Sequence, residues 1–318
     1  MRRLGKFKLS LKPWPMPEMD LTELEESEQF VDFAEEPRVY EGKKEEGLTL
    51  FFIDGVRRTE YAVYIVDEGS GKSYEGAFVS LGAGVMKVER GRLNLLDESF
   101  LECRRERLLF VSGDLQLEDE RLIELGFKTQ RTDGELSSEI NRYMRESLEA
   151  SIAYKSYKKN PESITICDGI LSHKLKGTYC LGFVKTIKKL YLSPEFVFLL
   201  MQLKVGQRSP IIKLHYQRQQ EEREKVDRYT WYVKLSPLEG MGSLARLEVL
   251  NFDSIDFERV RYLADLTAGV LPLFASRPFQ DQRAPQNLLP IRSLEFFLRK
   301  QLGSYQLIRK RLEQIIYA

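Results

Sequence analysis

The sequence contains few of the residues that build disulfide-linked or zinc-bound scaffolds. Its 318 residues include three cysteines and two histidines, and no two cysteines form a CxxC pair. Scattered cysteines in this number exclude a disulfide framework, and the missing CxxC pairs argue against a zinc site. Low cysteine usage is typical of a reducing compartment, so we predict a cytoplasmic location.

Long hydrophobic runs are missing as well. The longest apolar stretch covers residues 196–201, whereas a membrane-spanning helix needs about 20 apolar residues. The first twenty residues are basic but lack the continuous apolar core of a secretory signal. We therefore expect a soluble, intracellular protein without a membrane partner.

Neither charge is in excess, because 49 Lys and Arg residues balance 48 Asp and Glu residues. The charges are nevertheless segregated along the chain. Residues 18–46 hold twelve acidic and three basic residues, whereas residues 172–234 hold thirteen basic and five acidic ones, and residues 277–311 hold eight and two. Basic stretches with interspersed aromatic residues are typical of nucleic-acid binding, and a solvated charged face is the alternative interpretation.

The remaining composition, with 42% hydrophobic and 31% charged residues, is that of a globular protein. Residues 1–47 are predicted to form an acidic extension with short helical pieces, either docked on the protein or serving as a solvated linker. Residues 48–318 are predicted to form one α/β domain, a mixed sheet flanked by helices. The predicted elements are two buried strands at 48–55 and 162–171, further strands at 60–67, 74–91, 105–114, 209–217, 228–237 and 244–252, and helices over 135–158, 257–274 and 285–317.

A buried strand that ends in Asp-Gly is predicted twice, as FFIDGVRR around Asp54 and ITICDGIL around Asp168. If the two strands are parallel neighbours, about 4.8 Å apart, the two carboxylates nearly touch. Carboxylates at that distance repel, so one takes up a proton unless a cation lies between them. Because oxygen ligands suit Mg²⁺ or Mn²⁺, the pair predicts a divalent metal site. The alternative is a hairpin turn at Asp-Gly, which fits Asp54 better than Asp168.

A tight metal site needs a third acidic residue. Glu149 lies 19 residues before Asp168, on the shoulder of the apolar stripe of the predicted helix, so it could face the sheet. Spacing alone does not select Glu149 over Glu146, and acidic residues on amphipathic helices are more often solvated.

Several segments, in this order, resemble the NurA nuclease family: FFIDGVRR, ICDGIL, GFVKTIKKLYLSP, GQRSPIIKL, YTWYVKL and DQRAPQNLLPIRSLEFFLRKQLG, together with the spacing from Glu149 to Asp168. The resemblance runs from about residue 48 to the C-terminus. It implies a ribonuclease H-like fold with an N-terminal extension and added β-strands. It further implies a Mn²⁺- or Mg²⁺-dependent DNA nuclease, a 5′–3′ exonuclease or single-strand endonuclease. The implied assembly is a homodimer that encloses DNA and works with a HerA-type hexameric ATPase translocase in DNA end resection.

The resemblance assigns the catalytic and metal-binding roles to Asp54, Glu149 and Asp168. In this interpretation the metal activates a water and stabilises the leaving oxygen during phosphodiester hydrolysis. Basic residues are the candidate contacts for DNA phosphates, namely Arg57, Lys185, Arg208 and, in the last helical region, Arg292.

One position departs from the family pattern. Many members carry a further His in the last helical region, where this sequence places Arg292. Because Arg cannot ligate a metal, Asp281 is the candidate substitute ligand. A shifted alignment would instead place Gln286 or Asn287 there.

Two other functions remain open. Asp-Gly strand ends also occur in ATP-using phosphotransferases of the actin and sugar-kinase type, which need glycine-rich phosphate loops after such strands. The GVRR segment after Asp54 supplies only one glycine. The other alternative is a weakly active or inactive adaptor that channels DNA for a translocase, because the expected His is missing.

Overall fold

A large mixed sheet flanked by helices forms the protein. The computed structural model describes residues 3–4, 7–11, 29–89, 99–115, 117–185, 187, 190–192, 194–216, 226–280 and 284–317. The strands are β1 (Arg3–Leu4), β2 (Phe7–Leu11), β3 (Gln29–Phe33), β4 (Tyr40–Glu41), β5 (Thr49–Asp67), β6 (Ser73–Glu89), β7 (Ser99–Ser112), β8 (Phe127–Thr132), β9 (Ile164–Asp168), β10 (Leu181–Val184), β11 (Gln207–Arg208), β12 (Ile212–Tyr216), β13 (Arg228–Lys234) and β14 (Leu244–Leu250). The helices are α1 (Glu120–Glu124), α2 (Leu136–Tyr143), α3 (Ala150–Lys159), α4 (Val197–Gln202), α5 (Phe257–Val270), α6 (Leu289–Gln301) and α7 (Tyr305–Tyr317). The predicted α/β class is therefore confirmed.

Within the described ranges, fourteen strands form one sheet, whose main path runs β3–β12–β13–β14–β10–β9–β5–β6–β7–β8. Strand β9 is parallel to both β5 and β10, and β8 is parallel to β7. The other neighbours on this path are antiparallel. The two strands predicted to carry the aspartates are thus parallel neighbours, as the repulsion argument required.

Strand β5 is much longer than predicted. It continues through Asp54 and Gly55 to Asp67, and Asp54 lies opposite Gly84 in an antiparallel ladder with β6 that is regular from Thr49 to Thr59. Both the predicted strand end at Asp54 and the alternative hairpin turn there are wrong. Gly55 keeps a negative φ, so it opens no turn, and the hairpin loop lies at residues 68–72.

The first half of β5 is buried on both faces. Leu50 and Phe52 pack in a core with residues of α5 and α6, whereas Phe51 and Ile53 pack in a second core with residues of α2 and α3. This alternation follows from the two-residue period of a strand. Burying each of these large apolar side chains contributes about 1.5–3 kcal/mol, which explains why a continuous apolar run forms a central strand.

The helix predicted over residues 135–158 is continuous from Leu136 to Lys159 but contains an irregular turn. Residues Met144–Glu149 form a π-helical segment between α2 and α3. Such segments are rare and occur frequently at functional sites. Glu149 is the last residue of this segment.

The helix predicted over residues 285–317 is two helices, α6 and α7. Gly303 follows α6 with a φ of +82°, a conformation that glycine adopts without strain and that ends the helix. Leu294 and Leu298 of α6 lie against Gly84 of β6, so α6 covers the strand pair that carries Asp54. None of the helices in the described part of the chain is long and apolar enough to cross a membrane.

The described part of the acidic extension forms strands and not the short helical pieces that were predicted. Strand β3 pairs with β12, and β4 pairs with β11, both antiparallel. The edge of β12 offers unpaired backbone groups that a further strand can satisfy, which accounts for the extended conformation. Residues 1–2, 5–6 and 12–28 of the extension lie outside the described residues.

Candidate active site

Asp54 and Asp168 lie side by side on the parallel strands β5 and β9. The register pairs the residues that precede them, Ile53 and Cys167. Both aspartates point to the face that α6 covers. Along each strand, every second residue faces the same side, and the residues two positions before the aspartates, Phe52 and Ile166, belong to the core on that side. The structure thus brings together the two aspartates that the sequence analysis paired.

Asp54 is a buried carboxyl group beside a second one. Burial, followed by the charge of Asp168, raises the pKa of Asp54 well above its ordinary value, although the charge of Lys185 opposes this shift. The Oδ1 atom of Asp54 accepts a hydrogen bond from the backbone N–H of Gly55 at 2.8 Å. An aspartate in this position binds a proton readily, or a cation in its place.

Lys185 supplies a positive charge to the aspartate pair. Its Nζ donates to Asp168 Oδ2 at 2.8 Å and to Asn287 Oδ1 at 2.9 Å. Burial alone would lower the pKa of Lys185, but the charges of Asp168 and Asp54 hold it above its ordinary value. Asp168 Oδ1 is buried and has no hydrogen-bond partner among the described residues. The Lys185 ammonium therefore faces the carboxyl groups of both Asp54 and Asp168, and Asp168 Oδ1 is left without a hydrogen bond.

Glu149 approaches the aspartates from the opposite face of β5. Its carboxylate lies against Gly55, where a Cβ atom would overlap Glu149 Oε1. Because Gly55 alternates with Asp54, this contact is on the side of α2 and α3. Glu146, the other acidic residue considered, lies instead 3.9 Å from His173 Nδ1. Of the two glutamates, the structure therefore brings Glu149 to the strand that carries Asp54.

The three predicted acidic residues do not converge on one point. In the part of the chain that the structure describes, no three Asp, Glu, His or Cys side chains are close enough to hold one metal ion. The reason is that Asp54 and Asp168 lie on one face of the sheet and Glu149 on the other. Two adjacent carboxyl groups therefore stand on the α6 side of the sheet, and the Glu149 carboxylate stands on the side of α2 and α3.

The burial of Glu149 predicts a pH-dependent stability of the metal-free protein. Burial raises the pKa of Glu149 from 4.5 to about 7, with a further contribution from the charge of Asp168 and an opposing one from Arg145. Between these pH values the folded state keeps a proton that the unfolded state releases. The free energy of unfolding therefore falls by about 3 kcal/mol through this group as the pH rises from 4.5 to 7.

Urea denaturation in EDTA measures this effect. Glu149→Gln cannot ionise, so its stability relative to the wild type should increase by about 3 kcal/mol between pH 4.5 and 7 and then stay constant. Glu146→Gln, on the same helical segment but paired near His173, is the control and should follow the wild-type slope. Identical slopes for the wild type and Glu149→Gln would contradict the buried position of Glu149.

Helix α6 adds an acidic residue that the sequence analysis missed. The negative charge of Glu295 acts on Asp54 and on Lys185, which places this residue near the aspartate pair. Its Oε1 also accepts a hydrogen bond from Arg299 Nη2 at 2.7 Å. Glu295 is the only acidic residue between positions 282 and 312. Its isolation in a basic stretch is the feature of the sequence that could have identified it.

The candidates for the fourth site residue differ in position. Arg292 is exposed on α6, and Asp281 lies outside the described residues. Gln286 donates from Nε2 to the Leu244 carbonyl at 2.7 Å. Asn287 contacts the aspartate site through Lys185, whose Nζ donates to its Oδ1.

Two predicted phosphate contacts lie away from the aspartates. Arg57 donates from Nη1 to Ser137 Oγ at 3.4 Å, at the start of α2. The prediction for Arg208 is wrong, because its side chain is fully buried and its guanidinium donates to Glu35 Oε1 at 3.0 Å and to Asp265 Oδ1 at 2.6 Å. A buried guanidinium that two carboxylates neutralise cannot reach a DNA phosphate.

Arg208→Met is expected to lower the free energy of unfolding by about 3–5 kcal/mol, because it removes the buried guanidinium shared by Asp265 and Glu35, although Glu35 keeps Arg261 Nε at 3.2 Å. The affinity for DNA should stay unchanged under conditions where the variant is folded. Urea denaturation and fluorescence anisotropy with labelled DNA measure the two effects. Arg38→Met, whose side chain is 66% exposed, is the control and should change stability by less than about 0.5 kcal/mol. A loss of DNA affinity at wild-type stability would restore Arg208 as a phosphate contact.

Comparison with known protein families places the chain in one of them. The NurA domain matches residues 48–291, which are 244 of the 318 residues. No curated protein sequence matches the chain. The matched span includes Asp54, Glu149, Asp168 and Lys185. The chain therefore belongs to the NurA family, a family of nucleases.

Proposed function

We propose that the protein is a metal-dependent deoxyribonuclease that hydrolyses phosphodiester bonds. The observation that carries this proposal is the pair of adjacent aspartates, Asp54 and Asp168, on parallel strands. A divalent cation relieves the repulsion between two such carboxylates and, when bound, lowers the pKa of a water molecule towards neutrality. Membership of the NurA family supports nuclease chemistry.

The residues present fit Mn²⁺ or Mg²⁺. The candidate ligands are carboxylate oxygens, which hard divalent cations prefer. The buried Asp168 Oδ1 has no hydrogen-bond partner in the described part of the chain, as expected of an oxygen that binds a ligand. We assign Asp54 and Asp168 as the principal ligands and Glu149 as the third. Asp281 stays the candidate substitute ligand, and Glu295 adds a negative charge near Asp54 on the α6 side.

Lys185 is the phosphate contact that the geometry favours. Its ammonium lies 2.8 Å from Asp168 Oδ2, so a phosphate oxygen beside Asp168 comes within its reach. Asn287 holds the same ammonium at 2.9 Å and fixes its direction. Arg57 and the exposed Arg292 are proposed to contact DNA phosphates farther from the scissile bond.

We infer that the enzyme acts on DNA ends in the cytoplasm as a homodimer, with a HerA-type hexameric ATPase translocase as its partner. The NurA family is generally linked with such partners, and this supports a role in DNA end resection. The basic stretches at 172–234 and 277–311 supply charge for DNA phosphates despite the balanced total. The 5′–3′ exonuclease and single-strand endonuclease activities implied by the resemblance belong to this proposal.

We also infer a ribonuclease H-like arrangement of the central strands. Five of them follow the spatial order β7–β6–β5–β9–β10, with β6 antiparallel to the other four. The first and fourth of these strands in chain order are therefore parallel neighbours that carry the two aspartates. This strand order supports the fold that the family resemblance implies.

A second candidate function is that of a DNA-channelling adaptor with little or no activity of its own. One observation favours it: among the described residues, no three metal-binding side chains converge. An adaptor would retain DNA binding and translocase binding but would not cleave.

A cleavage assay separates the two functions. Purified protein with a labelled single-stranded oligonucleotide or a duplex end should release products with Mn²⁺ or Mg²⁺ and none with excess EDTA. Asp54→Asn, assayed in parallel, excludes a contaminating nuclease. DNA binding without metal-dependent cleavage, alone and with a HerA-type partner, would favour the adaptor.

A further inference from the structure

Glu248 of β14 is a buried carboxylate that the proposed reaction does not use. Its side chain is 0% exposed. Its Oε1 accepts hydrogen bonds from Arg228 and, at 2.9 Å, from the backbone N–H of Leu171, and its Oε2 accepts one from Arg246 at 3.1 Å. Burial alone would raise the pKa of Glu248, but the charges of the two arginines hold it below its ordinary value. The group is therefore an ionised, fully hydrogen-bonded carboxylate.

The contact with Leu171 connects this carboxylate to the aspartate site. Asp168 is the last residue of β9, and Leu171 lies three residues later on the turn that follows. Gly169 has a φ of +84°, and its N–H donates to the Phe183 carbonyl at 2.8 Å, so the chain turns directly after Asp168. Glu248 binds the same turn at its other end, through the backbone N–H of Leu171. Asp168 pairs with Phe183 of β10, whereas the parallel ladder with β5 ends at Cys167, so β10 and this turn together set the direction of the Asp168 carboxylate.

Gly182 of β10 makes room for the connection. A Cβ atom on Gly182 would lie 2.8 Å from the Gly169 carbonyl oxygen and 2.9 Å from Glu248 Cγ. Gly182 pairs with Cys167 on one side and with Glu248 on the other. The missing side chain therefore lets the Glu248 carboxylate reach across β10 to the turn.

We propose that Glu248 is a positioning residue, which holds the turn after β9 and thereby directs the Asp168 carboxylate towards the metal. This inference rests on the proposed function, because it gives Asp168 the role of a metal ligand. Groups that orient a ligand without touching the metal typically change metal affinity or activity by about 10- to 100-fold when they are replaced.

Glu248→Gln tests the proposal, since Gln keeps the shape but removes the charge that two arginines share. We expect the affinity for Mn²⁺, measured by calorimetry on the protein without DNA, to fall about 10-fold and kcat to fall by about 10- to 100-fold. The KM for DNA should stay within about twofold of the wild-type value. If Glu248→Gln does not fold, Arg246→Lys is the second variant, because it keeps the charge and alters only the geometry.

Glu60→Gln is the matched control. Glu60 is equally buried and binds Arg58 and Ser80, but it lies six residues from Asp54 along β5, about 20 Å away. The Glu60→Gln variant should be less stable than the wild type but should bind Mn²⁺ with the wild-type affinity. Wild-type Mn²⁺ affinity and kcat in Glu248→Gln, with Asp168→Asn inactive, would overturn the positioning role and leave the proposed function intact. Full activity of Asp168→Asn would overturn both.

Discussion

Asp168→Asn is expected to reduce the rate of Mn²⁺-dependent DNA cleavage by about 10³-fold or more. The amide keeps the shape of the side chain but removes the negative charge that holds a cation. A bound metal stabilises the transition state by several kcal/mol, and each 1.4 kcal/mol corresponds to a factor of ten in rate. Asp54→Asn should have a similar effect, because both aspartates face the same position on the α6 side of the sheet.

The measurement is kcat on a labelled oligonucleotide at saturating DNA, with folding checked by circular dichroism. In EDTA, Asp54→Asn should be at least as stable as the wild type, because burial and the charge of Asp168 raise the pKa of Asp54 and disfavour its ionised form. Asp67→Asn is the matched control: Asp67 is also buried on β5, at the far end of the strand. Wild-type activity in either site variant would contradict the assignment of the aspartates.

Lys185→Met is expected to destabilise the metal-free protein by about 3 kcal/mol, and Mn²⁺ should restore much of this loss. Removing one partner of a buried ion pair costs about 3–5 kcal/mol, and proton uptake by the neighbouring aspartates lowers that cost. A divalent ion between the carboxylates replaces the missing charge and stabilises the folded state by mass action. The variant should also cleave more slowly, because Lys185 is the proposed phosphate contact.

Urea denaturation in EDTA and in millimolar Mn²⁺ measures the free energy of unfolding of the variant without and with the ion. Lys234→Met is the matched control, since Lys234 is 7% exposed and forms no ion pair among the described residues. Its stability should change little, and by the same amount with and without Mn²⁺. If Mn²⁺ stabilised Lys185→Met no more than the wild type, the metal would not occupy the position beside Lys185 and Asp168.

The strands that carry the aspartates could be predicted because FFID and ITICD are short runs rich in aromatic and β-branched residues, which favour a buried strand over a helix. The end of β5 could not be predicted in this way. Asp-Gly is compatible with a turn and with an extended strand, and the pairing of Asp54 with Gly84 on β6 decides between them. The position of Glu149 on the opposite face depends on how α2 and α3 pack, which helical periodicity alone does not specify.

Contacts between distant parts of the chain explain the residues that were misassigned or missed. Arg208 is buried because Glu35, 173 residues earlier, and Asp265 neutralise it, and a basic stretch does not reveal such partners. Glu295 reaches the site because α6 packs on β5 and β6. Charge counts along the chain could not distinguish these buried or site residues from a solvated surface.

A crystal soaked with Mn²⁺ and measured at the manganese absorption edge tests the central claim most directly. We expect an anomalous peak between the carboxylates of Asp54 and Asp168, with Lys185 displaced from Asp168 Oδ2 or bound to a nearby anion. A contact from Glu149 to the same ion would complete the proposed ligand set. Full Mn²⁺ occupancy elsewhere in the protein, with the two aspartates still bound only to Lys185 and Gly55, would contradict it.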